Sequence, residues 1–306
     1  MTLFAPISEG RDDCKAGEAP ARSRASLSRV NTTAASAPSD APLASTRIGE
    51  GSRRVAFLHG LMGRGRNFTG PAKELGDDFT VELIDLPDHG ASPWTDRVDY
   101  REIADRVAAH LRAGLAADGP VHLLGHSMGG KVAMVLALRH PELVDRLIVE
   151  DISPRLSPQA TDEFVHLLGT MLRMDLDAYD SRAEADAAMA EHVHDARVRG
   201  FLLQNLRRTA GHFAWQPNVA MLFEHLREIG SFPDPVVPED PERVFDHPVL
   251  WLAGAESDYV QDEDVPRMKE LFPRVVRVTV RDAGHWLHAD QPEAFVSAVR
   301  TFLTAD

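Results

Sequence analysis

The sequence predicts an α/β fold, a mostly parallel central sheet flanked by helices, with a helical segment inserted between its later strands. Three observations lead there. Short apolar runs at 54–58, 79–84, 121–124, 146–150, 248–252 and 275–280 are bounded by turn formers and separated by stretches of helical character, the alternation that builds βαβ units. That alternation stops between Pro154 and about Pro241, where the chain reads as helices. Finally, Gly125-His126-Ser127-Met128-Gly129 stands between an apolar strand and the helix-forming run 131–138. A serine there sits on a sharp strand-to-helix turn, with glycines where side chains would collide.

Size and charge narrow the class. The 306 residues suffice for one large α/β domain with an insertion. Hydrophobic residues make up 43% and charged ones 26%, the balance of a soluble globular protein. A formal net charge of -14 argues against nucleic acid or anionic membrane as a partner. No apolar run reaches membrane-spanning length. Cys14 is the single cysteine, which rules out an intrachain disulfide and fits a cytoplasmic location.

The chain divides into four stretches. Residues 1–41 are rich in Ala, Ser, Pro, Arg and Thr, with Phe4 the only aromatic, and are expected to be a disordered extension. They lack the apolar run of a signal peptide, and Glu9, Asp12, Asp13 and Glu18 argue against a transit peptide. Residues 42–153 and 242–306 are expected to form the α/β core, and 154–241 a helical cap. Within the core, 43–48 reads as an edge strand, 71–75 as a helix, and 85–93 as a loop dense in turn formers. Residues 100–117 form a helix with Ile103, Val107, Leu111 and Leu115 on one face, Asp99 as N-cap and Gly119-Pro120 as its stop. Helices near 264–271 and 292–303 flank the last strand. In the cap, helices are expected over 161–174, 183–206 and 218–229, the first with a stripe of Phe164, Leu167, Leu168, Met171 and Leu172.

The chemistry follows from the serine. A serine hydroxyl is a poor nucleophile until a base takes its proton and an acid orients that base. His285, in the loop Gly284-His285-Trp286 after the last strand, suits the base. Two aspartates follow strand ends that open on the same crevice. They are Asp151 after 146–150 and Asp258 after 248–252. An oxyanion hole needs two backbone N–H groups, for which Met128, next to the nucleophile, and Leu61, in the His59-Gly60-Leu61 loop, are the candidates. Met62, Met171, Leu172 and Trp286 are expected to line the substrate pocket. His192 and His194 are two apart on an expected helix and so diverge. With no spaced ligand cluster in the sequence, no metal site and no cofactor are expected. Asp88-His89-Gly90 is read as fixing its turn.

These residues carry a resemblance. From about Leu43 onward the chain resembles the α/β-hydrolases, and among them the small esterases of the YbfF and abhydrolase domain-containing protein 11 group. The matching stretches are FLHGLMG (57–63), DHGASP (88–93), GHSMGGKVAM (125–134), EDISP (150–154), FLLQNL (201–206), LFP (271–273) and AGHWLHADQP (283–292). Asp88 stands where such relatives often have Asn. The resemblance implies an α/β-hydrolase fold with the helical cap inserted after strand 6. It implies a cofactor-free, carboxylesterase-like serine hydrolase acting on small acyl esters or thioesters through an acyl-enzyme. It also implies Asp151 as the triad acid, because the resembled esterases draw theirs from the aspartate of D-I-A/S-P. Asp258 stays in reserve, one residue late for the G-x-x-D spacing of other hydrolases. The same fold hosts haloperoxidases, C–C bond hydrolases and aminopeptidases, and a non-catalytic small-ligand receptor is a further alternative.

Overall fold

The computed structural model describes residues 41–156, 158–209 and 211–305. The expected disordered extension, apart from residue 41, lies outside the described residues. Seven strands form one sheet: β1 (Ser45–Ile48), β2 (Arg53–Leu58), β3 (Phe79–Ile84), β4 (Val121–His126), β5 (Val144–Glu150), and two later ones. Helices α1 (Thr69–Leu75), α2 (Tyr100–Ala113) and α3 (Met128–Arg139) connect them. After β5 come α4 (Pro158–Arg173), α5 (Arg182–Ala190), α6 (Ala196–Leu203), the hairpin strands β6 (Leu206–Thr209) and β7 (His212–Trp215), α7 (Val219–Glu224) and α8 (Leu226–Gly230). The sheet resumes with β8 (Val249–Gly254), α9 (Val265–Leu271) and β9 (Val275–Val280), and the chain closes with α10 (Leu287–Asp290) and α11 (Pro292–Thr304).

The sheet order is β1-β3-β2-β4-β5-β8-β9, and only the edge strand β1 runs antiparallel to its neighbour. Strands β4 and β8 are buried along their whole length, as parallel strands covered on both faces must be. One apolar core, with Leu75, Phe68, Phe295, Val299 and Leu303, lies under α1 and α11. The other packs α2, α3 and α9 against the opposite face and continues into the insertion through Leu168, Met171, Leu202 and Leu226. Asp99 caps α2 as expected, accepting from Arg101 N at 2.8 Å. The C-terminal ends of the parallel strands share one edge, where ligands bind in open α/β sheets.

The insertion departs from expectation in three ways. It is not all helical, because 206–215 folds as the antiparallel hairpin β6–β7, anchored where Trp215 Nε1 donates to Met171 O at 3.1 Å. The expected helix 183–206 is two helices, and Asp195 starts the second by accepting from Arg197 N and Val198 N. The expected helix 218–229 is likewise broken at His225. Five strands of this chain precede the insertion, one fewer than expected.

Candidate active site

Ser127 sits between β4 and α3 with φ of 52°, a left-handed conformation that costs free energy for any side chain other than glycine. The surrounding backbone holds it there. Ser127 N donates to Glu150 O at 3.0 Å, and Lys131 N to Ser127 O at 3.1 Å. The flanking glycines are sterically required. A Cβ on Gly125 would stand 2.2 Å from Gly129 O, and one on Gly129 would stand 2.5 Å from the carbonyl oxygens of Leu58 and His59.

His285 and Asp151 meet although 134 positions separate them. Asp151 follows β5, fully buried, with φ of 49°. Its Oδ2 lies 2.8 Å from His285 Nδ1 and also accepts from Ser257 Oγ, while Oδ1 accepts from Gly254 N at 2.9 Å. Charge-assisted bonds of this kind fix both carboxylate and imidazole. Tyr259 stacks on the His285 ring, centroids 3.9 Å apart. The other aspartate, Asp258, is exposed, and its backbone oxygen takes Gln261 Nε2 at 2.9 Å. Ser127 and His285 line one large cleft of about 1720 Å³.

The loop after β2 is held by two buried histidines, His59 in that loop and His89, expected only to fix its own turn. His59 Nδ1 donates to Gly60 O at 2.8 Å, and its Nε2 accepts from Leu86 N at 2.9 Å. His89 Nδ1 donates to Pro87 O at 2.9 Å, and its Nε2 accepts from Met62 N at 3.1 Å. Burial, with His89 beside it, pushes His59 down to about 3, and burial lowers His89 as well. Both rings are therefore neutral acceptors, which these amide bonds require. Met62 N and Gly63 N, which donates to Gly60 O, are thus committed around Leu61. Met128 N is the first amide of α3 and has no intrahelical acceptor.

Of the expected pocket residues, Trp286 lines the cleft, with Phe201 of α6 at a ring distance of 5.3 Å. Three do not line it. Met62 is fully buried in the core, its carbonyl taking Asn205 Nδ2 at 2.7 Å. Met171 and Leu172 pack into the core of the insertion. The face of α4 turned to the cleft carries Glu163, Phe164 and Leu167 instead. A second cavity of about 30 Å³ adjoins Ser127, walled by Leu61, Met128, Ile152, Phe164, Leu226 and Ile229, with Lys131 also in its lining.

Two further groups escaped the sequence reading. Lys131 is buried on α3, where its Nζ donates to Gly230 O (2.6 Å), Ser231 O (2.8 Å) and Arg155 O (3.1 Å). Burial, with Arg155 nearby, pushes the ammonium down to about 7. Its signal was one charge at the start of an otherwise apolar helix. The second group is His126, Glu150 and His288, whose donor atoms lie within 4.8 Å of one another. The sequence reading expected no such cluster, since residues this far apart show no ligand spacing. Among the described residues these three could hold a metal ion. His192 and His194 lie in the link between α5 and α6 rather than on a helix.

Comparison with known proteins agrees with this architecture. Residues 55–298 match the model of the alpha/beta hydrolase family. The chain is 36% identical to mouse sn-1-specific diacylglycerol lipase ABHD11, over 81% of this chain and 80% of that one. It is 28% identical to esterase YbfF of Escherichia coli, over 81% and 92%. A solved structure described as a marine microorganism esterase superposes with a TM-score of 0.80 at 33% identity, covering 85% of this chain and 99% of that one. Among the described residues no helix is long and apolar enough to cross a membrane. The chain belongs to the α/β hydrolase family.

Proposed function

We propose that this chain hydrolyses carboxylic esters or thioesters of short acyl groups, with Ser127 as nucleophile, His285 as base and Asp151 as acid. The observation that carries the reading is the buried Asp151 carboxylate 2.8 Å from Nδ1 of His285, a histidine that lines the same cleft as Ser127. In the reaction, His285 Nε2 takes the Ser127 proton as Oγ adds to the carbonyl carbon, and Asp151 stabilises the imidazolium. The N–H groups of Leu61 and Met128 receive the oxyanion, each typically contributing about 3–4 kcal/mol to barrier lowering. Collapse expels the alcohol or thiol with a proton from His285, and water then releases the acid by the same route.

The two cavities divide the substrate. A leaving group takes its proton from His285, so it lies on the side of the large cleft. The acyl group then faces the apolar cavity of about 30 Å³. A water needs about 10–15 Å³ on the same measure, so an acetyl or propionyl tail fits. A diacylglycerol, for which vertebrate relatives are named, carries acyl chains longer than that cavity holds. The residues between β5 and β8 act as the cap over both cavities, and a cytoplasmic location is consistent with the single cysteine.

The test is turnover of a p-nitrophenyl ester series from acetate to palmitate, with fluorophosphonate labelling of the serine. Turnover is expected to peak at the shortest esters. Ser127→Ala is expected to abolish labelling and cut turnover by several orders of magnitude. A Ser127→Ala protein that retains turnover would refute the reading.

A further inference from the structure

Behind the His285 loop, apart from the residues assigned to the reaction, three ligand-type side chains converge. His126 ends β4, Glu150 ends β5, and His288 lies in α10. One donor atom from each falls within 4.8 Å of the other two. Glu150 is fully buried. Its Oε1 accepts from His288 N at 3.1 Å and lies 2.8 Å from His288 Nδ1. Its Oε2 is buried with no hydrogen-bond partner. A carboxylate oxygen left bare in a low-dielectric interior is costly, and it is the position a cation would fill. Phe68 closes one side, its ring 4.4 Å from that of His288. His126 and His288 also line the large cleft, so an ion in the cleft can reach them.

The donor set selects the ion. Two imidazoles and one carboxylate suit a borderline cation such as Zn²⁺, with water in the fourth position, whereas Ca²⁺ and Mg²⁺ prefer oxygen ligands. Tetrahedral Zn²⁺ with bonds of about 2.0–2.2 Å needs donors roughly 3.3–3.6 Å apart. Donor atoms already within 4.8 Å of one another reach that by small side-chain rotations. We propose that His126, Glu150 and His288 form a Zn²⁺ site whose occupation inhibits the enzyme. The inhibitory half rests on the proposed function. His126 Nε2 donates to His285 O at 2.8 Å, and His288 lies three residues after His285 in the following helix α10. An ion drawing His126 and His288 together pulls on both sides of the segment that presents the His285 ring to Ser127.

The test is Zn²⁺ binding to the full chain by calorimetry after chelation and dialysis, with ester turnover followed in parallel. One Zn²⁺ per chain with matching loss of turnover is expected, and no effect of Ca²⁺ or Mg²⁺. Glu150→Gln and His288→Gln should each weaken binding more than about tenfold, the lower range for perturbing such a site. Absence of binding, or binding unchanged in both variants, overturns the site. Loss of binding in His285→Ala alone would move the ion onto the His285–Asp151 pair and also overturn it. If either variant fails to fold by circular dichroism, imidazole ¹⁵N spectra of the wild-type protein decide. Zn²⁺ shifts His126 and His288 if the site is real, and His285 alone if it is not. Binding without inhibition overturns the inhibitory half. A chain that hydrolyses no ester at all refutes the proposed function, while the calorimetry still reads the site.

Discussion

Replacing Asp151 by asparagine changes one atom at the centre of a hydrogen-bonded knot. The Oδ2 that accepts from Ser257 Oγ and faces His285 Nδ1 becomes an amide NH₂ if Oδ1 keeps its bond from Gly254 N. His285 then has to accept at Nδ1, which puts the ring proton on Nε2 and removes the base from the face turned to Ser127. Loss of the correct tautomer costs about ten-thousandfold in turnover where it has been isolated, equivalent to about 5 kcal/mol of barrier. Folding should suffer less, by roughly 1–3 kcal/mol for one disrupted buried acceptor. Asp258→Asn, on an exposed side chain, should leave turnover within about twofold, as surface substitutions away from such features do. The assay is turnover of p-nitrophenyl acetate by both variants side by side, with circular dichroism to show that each is folded. If Asp258→Asn collapses turnover while Asp151→Asn stays within tenfold of wild type, the wrong carboxylate has been placed in the triad.

Three other outcomes follow from the geometry. Lys131→Met leaves the carbonyls of Gly230, Ser231 and Arg155 without their donor and should cost roughly 1–3 kcal/mol, a fall of about 2–6 °C in Tm; an unchanged Tm by differential scanning fluorimetry would show that the ammonium contributes little. His59, held at about 3 by burial against about 6.5 in the unfolded chain, lets the unfolded state take up a proton first. Stability is therefore full above about pH 6.5 and falls towards pH 3, by roughly 1 kcal/mol per pH unit from this group, with His89 acting in the same direction; a urea midpoint unchanged between pH 7 and pH 5 would contradict it. Leu226→Ala opens the small cavity and should move the best substrate from acetate towards butyrate or hexanoate, whereas Met171→Ala should cost about 2–5 kcal/mol of stability without altering the chain-length profile. The same profile in Leu226→Ala and wild type would mean that the acyl group binds elsewhere.

What the sequence could express depended on how local the cause was. The turn at Ser127 is dictated by sterics over five residues, so Gly125 and Gly129 announce it. Strand β9 begins and ends where its apolar run does. The hairpin at 206–215 leaves no local signal, because a two-stranded ribbon is marginal alone and this one depends on Trp215 reaching Met171. The α4 stripe misled in a similar way. Periodicity identified a buried face, but Met171 is buried against the insertion's own core and Phe164 and Leu167 meet the cleft. His126, Glu150 and His288 come from three strand and helix ends, and only the fold brings them together.

The position of Lys131 has a consequence for how such proteins diversify. Its Nζ touches Arg155 O at 3.1 Å and Ser231 O at 2.8 Å, so a carbonyl near the start of the insertion and one ahead of its last stretch lie within roughly 6 Å, a gap that two or three residues bridge. The helices and hairpin between Arg155 and Ser231 are a detour that leaves and returns to nearly the same point. Its length and sequence can therefore vary, by recombination or by a designer, where the contacts that tie it to the core, such as Asn205 Nδ2 on Met62 O, are kept. Selection can then trade one substrate for another by replacing the detour, and the chemistry passes unaltered from one descendant to the next.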